Sequence, residues 1–462
     1  MKPVAIIGAG IAGLTAAFYL KRNGAPVTVY EAGPRPGGVI RSLRQDGFLA
    51  EFGPNTLLET SPRIGQLVRD AGLQSRRQDP DPSAEARYVV RYRRPISMPS
   101  SPAGFFTTDL FTWKAKLAVL REPFVPRRKD GVEESIAEFV VRRFNREFLD
   151  HAIDALVAGI YAGDPRRLSV THAFPKLKAL EDRYGSMIRG QIFGARERRK
   201  RGEVAKDRAP KFSFDEGLQV LPDTLAAGLG ADLKLQATVS RVARDGRDWK
   251  LGIVADGAAR EAEHSAVIYC GTAHQLPSLR LEVPAVSTAL PDLSVFSEIR
   301  YPPVASVVLG LRRDQVAHSC SGFGMLIPKI EGFKILGTIF SSSLFPNRAP
   351  AGHLTLTSYV GGERYPDLAL LPPDDVVRVT LEDLRVLLGV TGEPVFRHVV
   401  VYPKAIPQYN VGYGKYRDAF TALETAHPGL FFAGHARDGV SLSDSIVSGC
   451  AVAEKAAKSL GV

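Results

Sequence analysis

Gly8, Gly10 and Gly13 stand in the order Gly-x-Gly-x-x-Gly, with Ala9, Ile11, Ala12 and Leu14 around them, and Glu31 closes the next apolar run. The chemistry open to such a set is dinucleotide binding. Glycines permit a tight turn that brings backbone N–H groups to a pyrophosphate at a helix N-terminus. A carboxylate beyond the second strand can accept hydrogen bonds from ribose hydroxyls. The elements that must position these residues are legible on both sides. Lys2-Pro3-Val4-Ala5-Ile6-Ile7 has the length and β-branching of a buried parallel strand. Ile11 to Asn23 predicts a helix, with Gly24 where a C-terminus calls for positive φ, and Pro26 to Tyr30 predicts a second strand. A glycine triplet alone is weak evidence; strand, helix and a well-placed acid make one βαβ unit. NAD and FAD both satisfy it.

A chain of 462 residues predicts two or three domains. With 45% hydrophobic and 24% charged residues it is a globular protein, not a disordered one. A formal charge of +11 points to an acidic partner: nucleic acid, anionic lipid or a small polycarboxylate. Neither zinc-ligand spacing nor a recognition-helix signature is present, so nucleic acid is set aside. Cys270, Cys320 and Cys450 form no Cys-x-x-Cys and read as reduced thiols; no metal site is expected. The short N-terminal apolar run leads straight into the glycine turn, unlike a signal peptide, and nothing approaches the roughly 18 apolar residues of a spanning helix. A cytoplasmic location is expected, soluble or peripheral at the inner face of the cell membrane.

Along the chain, Ile40 to Ala50 alternates like a strand around a turn at Asp46-Gly47, and Ser61-Pro62 opens a helix running to Gly72. Arg87 to Arg94 reads as one basic strand. Met98 to about Lys211 is helical in pattern and holds an aromatic segment, Phe105 to Leu120 with Trp113, flanked by lysines and arginines. That segment suits either a core face or a membrane surface. Arg196 to Lys211, dense in Lys and Arg, reads as a surface loop. From Phe212 the βα style returns, with a strand pair through Val239 and Trp249 and a buried strand at Ala266 to Cys270. Strands then follow at Ala305 to Leu311, Gly324 to Pro328, Phe333 to Phe340, Leu354 to Val360 and Phe396 to Tyr402. A covering helix runs from Asp374 to Leu388, and Val440 to Leu460 predicts a C-terminal helix.

The continuation Glu31-Ala32-Gly33-Pro34-Arg35-Pro36-Gly37-Gly38 resembles the second glycine turn of the FAD-dependent amine oxidase superfamily, with Arg35 and Arg41 offering positive charge beside a flavin. The resemblance narrows over the whole chain. Gly8 to Leu14, Glu51-Phe52-Gly53-Pro54-Asn55, Tyr161-Ala162-Gly163-Asp164, Ile406-Pro407-Gln408-Tyr409 and Gly439-Val440-Ser441-Leu442-Ser443-Asp444 occur in the order of the oxygen-dependent, FAD-containing protoporphyrinogen oxidases of soluble bacterial type.

That resemblance implies an α/β fold with a Rossmann-like FAD-binding domain built from both chain ends, an inserted mixed-sheet substrate domain and a helical membrane-facing region. The corresponding segments are 1–84, 212–292 and 411–462 for FAD, 85–97 and 293–410 for substrate, and 98–211 for the helices. It implies FAD contacts at Gly8 to Leu14, Glu31, Gly37, Gly38, Arg41, Gly53, Pro54, Asn55, Thr56, Val239, Gly434, Val440, Ser441 and Leu442. The substrate residues implied are Asn55, Gly159, Gly163, Phe323, Leu326 and Tyr359. Where the animal and plant enzymes have a propionate-anchoring arginine after Gly-Pro, this chain has Asn55, which cannot form a charge-assisted bidentate pair; the Arg91 to Arg94 cluster is the candidate replacement.

The implied reaction is six-electron oxidation of protoporphyrinogen IX in heme biosynthesis, by repeated hydride transfer to FAD with O2 reduced to hydrogen peroxide. Coproporphyrinogen III is the alternative substrate. An amine oxidase or desaturase, and a flavin-less escort protein on the same fold, are the rivals. No side chain is assigned as catalytic; His435 is read as a satisfied histidine. Monomer and homodimer both stay open.

Overall fold

The computed structural model describes residues 1–128, 130–201, 209–283 and 292–461, with backbone alone for 195–201. Its first layer is a five-stranded, all-parallel sheet ordered Leu233–Lys234, Val27–Tyr30, Val4–Ile7, Ala266–Tyr269 and Leu430–Phe432. Val4, Ala5 and Ile6 are wholly buried at its centre, which is why the first strand reads as a continuous apolar run. Helix Ile11–Arg22 crosses from the first strand to the second, and the C-terminal helix Leu442–Leu460 packs against it. Gly449 makes that packing close: a Cβ there would lie 2.5 Å from Ala12 O. Three distant stretches of chain thus share one apolar core.

The second layer is a seven-stranded mixed sheet. Its order is Phe396–Tyr402, Val304–Arg312, His353–Gly361, Ile335–Phe340, Gly324–Leu326, Arg87–Arg91 and Arg94–Ser97, with one parallel pairing, Gly324–Leu326 with Arg87–Arg91. One face buries Val307, Leu309, Met325 and Leu356 with Val376, Leu384 and Leu388 of helix Pro373–Leu388. The period of two then sends Leu326 and Tyr359 to the opposite face. Helix Asp154–Tyr161 covers part of that face, packing against strands Gly324–Leu326 and Ile335–Phe340.

Most elements fall where the apolar pattern puts them, and three differ. Arg87 to Arg94 is a hairpin, because Tyr92 (φ +54°) and Arg93 (φ +59°) form a tight turn without a glycine. A strand at Ala258–His264 joins the pair through Val239 and Trp249. The basic stretch expected as a loop from Arg196 continues helix Met187–Arg201 through Arg201, residues 202–208 lie outside the described residues, and Lys211 already belongs to strand Lys211–Phe214.

Candidate flavin and substrate site

The glycine loop has three different uses for its three glycines. Gly8 takes φ +103° where the strand turns away. At Gly13 a Cβ would lie 2.0 Å from Gly8 O, so the helix could not pack on the strand with any side chain there. At Gly10 a Cβ would meet nothing within 4 Å. Gly10 is also the N-cap of helix Ile11–Arg22, with no capping side chain and no acid in the first turn. This helix end therefore has no side-chain cap and has room beside Gly10, which fits a pyrophosphate. Glu31 is turned into the same loop: one carboxylate oxygen accepts from Ala9 N–H and the other from Gly33 N–H, each at 2.8 Å. Each oxygen keeps a lone pair for a ribose hydroxyl.

Gly37 N–H donates to Ala9 O at 2.8 Å, and a Cβ on Gly38 would lie 3.4 Å from Gly10 Cα, so the second glycine pair lies directly on the first loop. Arg35 is spent on the strap itself, donating to Pro36 O, Gly38 O and Ile40 O. Arg41 is exposed, its guanidinium 5.3 Å from the Phe52 ring centre. Val239 sits at a β-bulge close to Glu31, since Ala237 N–H donates to Glu31 O at 2.9 Å.

Gly53 passes so near Val39 that a Cβ would stand 2.2 Å from Val39 O. Asn55, buried two residues on, donates from Nδ2 to Tyr359 Oη at 2.6 Å, and Tyr359 Oη donates to Gly53 O at 3.2 Å. Burial pushes the Tyr359 hydroxyl above the ordinary tyrosine range, so it stays a donor. Beyond Thr56, Leu58 O accepts from Ser443 Oγ of the C-terminal helix at 2.6 Å. The turn 53–58 is thereby held by both the mixed sheet and the C-terminal helix. Glu51 anchors its near end, buried and accepting from Ser42 Oγ (2.6 Å) and Leu218 N–H (2.8 Å), with Arg348 at 3.5 Å. Burial pushes this carboxyl up to about 7, with Arg348 opposing the shift.

Gly434 (φ +106°) ends the last parallel strand, and its N–H donates to Ser448 Oγ at 2.8 Å. Val440, Ser441 and Leu442 follow, partly exposed, and Ser441 caps the C-terminal helix by accepting from Asp444 N–H at 3.1 Å. His435 lies against Tyr301, and burial, reinforced by His274, pushes its imidazole down to about 4. It is neutral at pH 7. Burial pushes the Cys270 thiol, behind the glycine loop, up to about 12, which leaves it no thiolate character.

On the face of the mixed sheet that carries Leu326, Gly159 near the end of helix Asp154–Tyr161 meets that leucine; a Cβ there would lie 2.6 Å from Leu326 Cδ2. Phe323, one residue before strand Gly324–Leu326, is half-buried among Ala84, Leu344 and Phe345. Gly163 faces inward instead, hemmed by Gln408 and Leu168. Of the Arg91 to Arg94 cluster, Arg91 is buried and paired with Glu147 at 3.2 Å, and Arg93 lies over Phe333. The expected anionic anchor therefore has no free charge at Arg91. Two cations stand closer: Arg87, the first arginine of the same basic run, and Lys211, which the sequence pattern did not single out. Arg87 and Lys211 each lie 5.9 Å from the Phe323 ring centre, and neither forms an ion pair among the described residues. Burial and the neighbouring Arg87 hold the Lys211 ammonium below the usual lysine range.

Comparison with known proteins gives the family. The family described as flavin containing amine oxidoreductase matches residues 11–457. The chain belongs to that family. It is an FAD-dependent oxidoreductase. This flavoenzyme is 36% identical over 478 residues to protoporphyrinogen oxidase 2, chloroplastic/mitochondrial, of Arabidopsis thaliana, an alignment covering 98% of the chain and 93% of the relative. It is 29% identical to coproporphyrinogen III oxidase of Bacillus subtilis, covering 98% of both. Cyclohexylamine oxidase of Brevibacterium oxydans superposes with a TM-score of 0.69 at 17% identity, covering 100% of both chains. A crystal structure from Exiguobacterium sp. 255-15 does so at 0.81 and 23%, covering 100% of this chain and 99% of its own. These likenesses establish the fold.

Proposed function

We propose that the enzyme oxidises a porphyrinogen in heme biosynthesis, converting protoporphyrinogen IX to protoporphyrin IX. Coproporphyrinogen III is the second reading, favoured by the end-to-end match to the Bacillus enzyme. The observation that carries the proposal is two cations beside an apolar face that form no ion pair among the described residues, Glu85 acting on Lys211 only at longer range. Arg87 and Lys211 flank Phe323, and Leu326 with Gly159 continues the apolar surface toward Tyr359 and Asn55. A flat macrocycle with propionates matches both parts: its faces lie on the apolar surface and its carboxylates relieve the repulsion between Arg87 and Lys211. Amines, being cations, would worsen that repulsion.

The chemistry FAD supplies when bound is two-electron oxidation of a substrate carbon, with O2 as terminal acceptor and hydrogen peroxide as product. The backbone N–H groups at Gly10 to Ala12 hold the pyrophosphate and Glu31 the ribose, with Val239 presenting backbone to the adenine. Gly53 to Thr56 and Val440 to Leu442 border the flavin, and Asn55 with Tyr359 forms the polar edge between flavin and substrate. His435 is given no proton-transfer role, since burial makes its imidazole a weak base; the pyrrole N–H protons leave to solvent. The division of the chain into flavin segments 1–84, 212–292 and 411–462 around the substrate sheet belongs to the same reading. Steady-state oxidation of both porphyrinogens, side by side with a panel of amines, tests it. Porphyrin and peroxide formation from a porphyrinogen is expected; turnover of amines alone refutes it.

The helical region is read as membrane-facing. Trp113, Leu117 and Leu120 stand on one side of helix Trp113–Arg121, and with Phe124 they are 55–81% exposed. Ile192 and Phe193 are exposed on helix Met187–Arg201, whose start is fixed beside Phe124 by Glu122, which accepts from Met187 and Ile188 N–H. Lys114 and Arg121 border this apolar patch, the arrangement of a surface that lies in anionic lipid. Among the described residues no helix is long and apolar enough to cross a membrane. Replacing Trp113 and Leu117 by Ser should weaken binding to anionic vesicles by about 100-fold in a sedimentation assay.

A further inference from the structure

Ile406-Pro407-Gln408-Tyr409 has no part in the functions assigned above, yet it is one of the most restrained stretches of the molecule. Gln408 N–H donates to Arg300 O and Tyr409 O accepts from Ser169 N–H, at 2.9 and 2.8 Å. Both side chains are buried, and they point to different halves of the site. Tyr409 Oη donates to His435 O and accepts from Gly439 N–H at 3.1 Å, and so clasps both ends of the loop that precedes Val440 to Leu442. Gly439 has φ +129°, a conformation reserved for glycine, and the hydrogen bonds within the loop, from Arg437 and Asp438 N–H to Gly434 O at 3.1 Å, restrain only its start. Gln408 Nε2 donates to Tyr161 O at 2.8 Å, at the end of the helix whose Gly159 meets Leu326. That helix ends on Ala162 in the left-handed region (φ +48°), and Gly163 packs on Gln408 with no room for a Cβ.

We infer that Gln408 and Tyr409 are positioning residues that tie the two walls of the site together, Tyr409 setting the flavin-side loop and Gln408 the cavity-side helix end. Adjacent residues of one rigid segment then fix the separation of flavin and substrate. The cavity half of this inference rests on the proposed function; the flavin half rests only on FAD binding.

The two halves separate by mutation. Tyr409→Phe keeps the ring packed 4.3 Å from Tyr413 but removes both hydrogen bonds and leaves Gly439 N–H unpaired. Fluorescence titration of apoprotein with FAD should then show a Kd raised roughly 10- to 100-fold. Tyr416→Phe, which loses a hydroxyl contact to Glu298 away from the site, should stay within about twofold. Gln408→Met should leave FAD affinity within about twofold and raise the porphyrinogen KM roughly 3- to 10-fold, with kcat nearly unchanged. Wild-type FAD affinity in Tyr409→Phe, or a Gln408→Met variant that shifts FAD affinity and not KM, overturns the inference. If Tyr409→Phe does not fold, Tyr413→Phe loosens the same loop by removing the bond to Ala436 O (2.6 Å). About threefold weaker FAD binding is expected of it, and unchanged binding refutes the flavin half. A wild-type enzyme inactive on porphyrinogens would refute the proposed function while leaving the FAD titration readable.

Discussion

The proposed flavin end and the proposed substrate end of this molecule are built from different materials. The flavin end is almost entirely backbone. In the proposed reading it is formed by Gly8, Gly10, Gly13, Gly37 and Gly38; a Cβ would meet protein atoms at all of these but Gly10. The substrate end is built of side chains that meet only after the chain has folded. Asn55 reaches Tyr359, and Phe323 meets Arg87 and Lys211 from three separate segments. At a backbone site an added atom collides either with the protein or with the ligand, whereas side-chain sites can be tuned residue by residue. This contrast orders the expected effects of mutation.

The largest effect should come from the glycine loop, and two neighbouring glycines should fail differently. Gly13→Ala forces a Cβ against Gly8 O and should cost about 3 kcal/mol of stability together with all bound flavin. Gly10→Ala meets no protein atom, so it should melt within about 0.5 kcal/mol of wild type yet bind FAD about 100-fold more weakly. Melting curves of the apoproteins and flavin content after purification check both. Equal behaviour of the two variants would remove the distinction between packing glycine and ligand glycine.

Arg87→Ala probes the other end. It should raise the porphyrinogen KM about tenfold or more while leaving the flavin spectrum unchanged. A variant that loses flavin instead would place Arg87 in the wrong half.

Glu51 lies between the halves, and its titration gives a smaller, pH-dependent effect. Its carboxyl is raised in the folded state to about 7 from the usual 4.5. Between those values the native protein binds the extra proton, so stability falls as pH rises through the window. Relative to Glu51→Gln, wild type should therefore gain stability as pH drops from 8 to 5, by about 2 kcal/mol. A difference independent of pH, measured by urea unfolding, would show that Glu51 titrates normally.

The smallest effect is expected at His435. Its imidazole, pushed down to about 4, is neutral at every working pH. Glutamine there should keep turnover within about tenfold, and a thousandfold loss would make it a base.

This same contrast explains what the sequence could disclose. The cradle was legible because glycine spacing, an apolar strand and an acid are local signals of backbone geometry. Helix caps were legible for the same reason, as at Ser61, which accepts from Arg63 N–H before Pro62. The hairpin at Tyr92-Arg93 was not, because two bulky residues hold positive φ without glycine or asparagine to announce it. Ala258–His264 carries alternating charges and no β-branched residue, so its strand depends on pairing with Asp248–Ala255. Arg87 and Arg91 looked equivalent in one basic run. Only the fold gives Arg91 to Glu147 and leaves Arg87 beside Phe323.

The most direct test of the whole account is anaerobic mixing of the purified holoprotein with protoporphyrinogen IX or coproporphyrinogen III, followed by admission of air. Bleaching of the flavin absorbance by a porphyrinogen, then recovery in air with porphyrin fluorescence and peroxide, is the predicted result. A flavin that stays oxidised with both porphyrinogens and bleaches with an amine would contradict it.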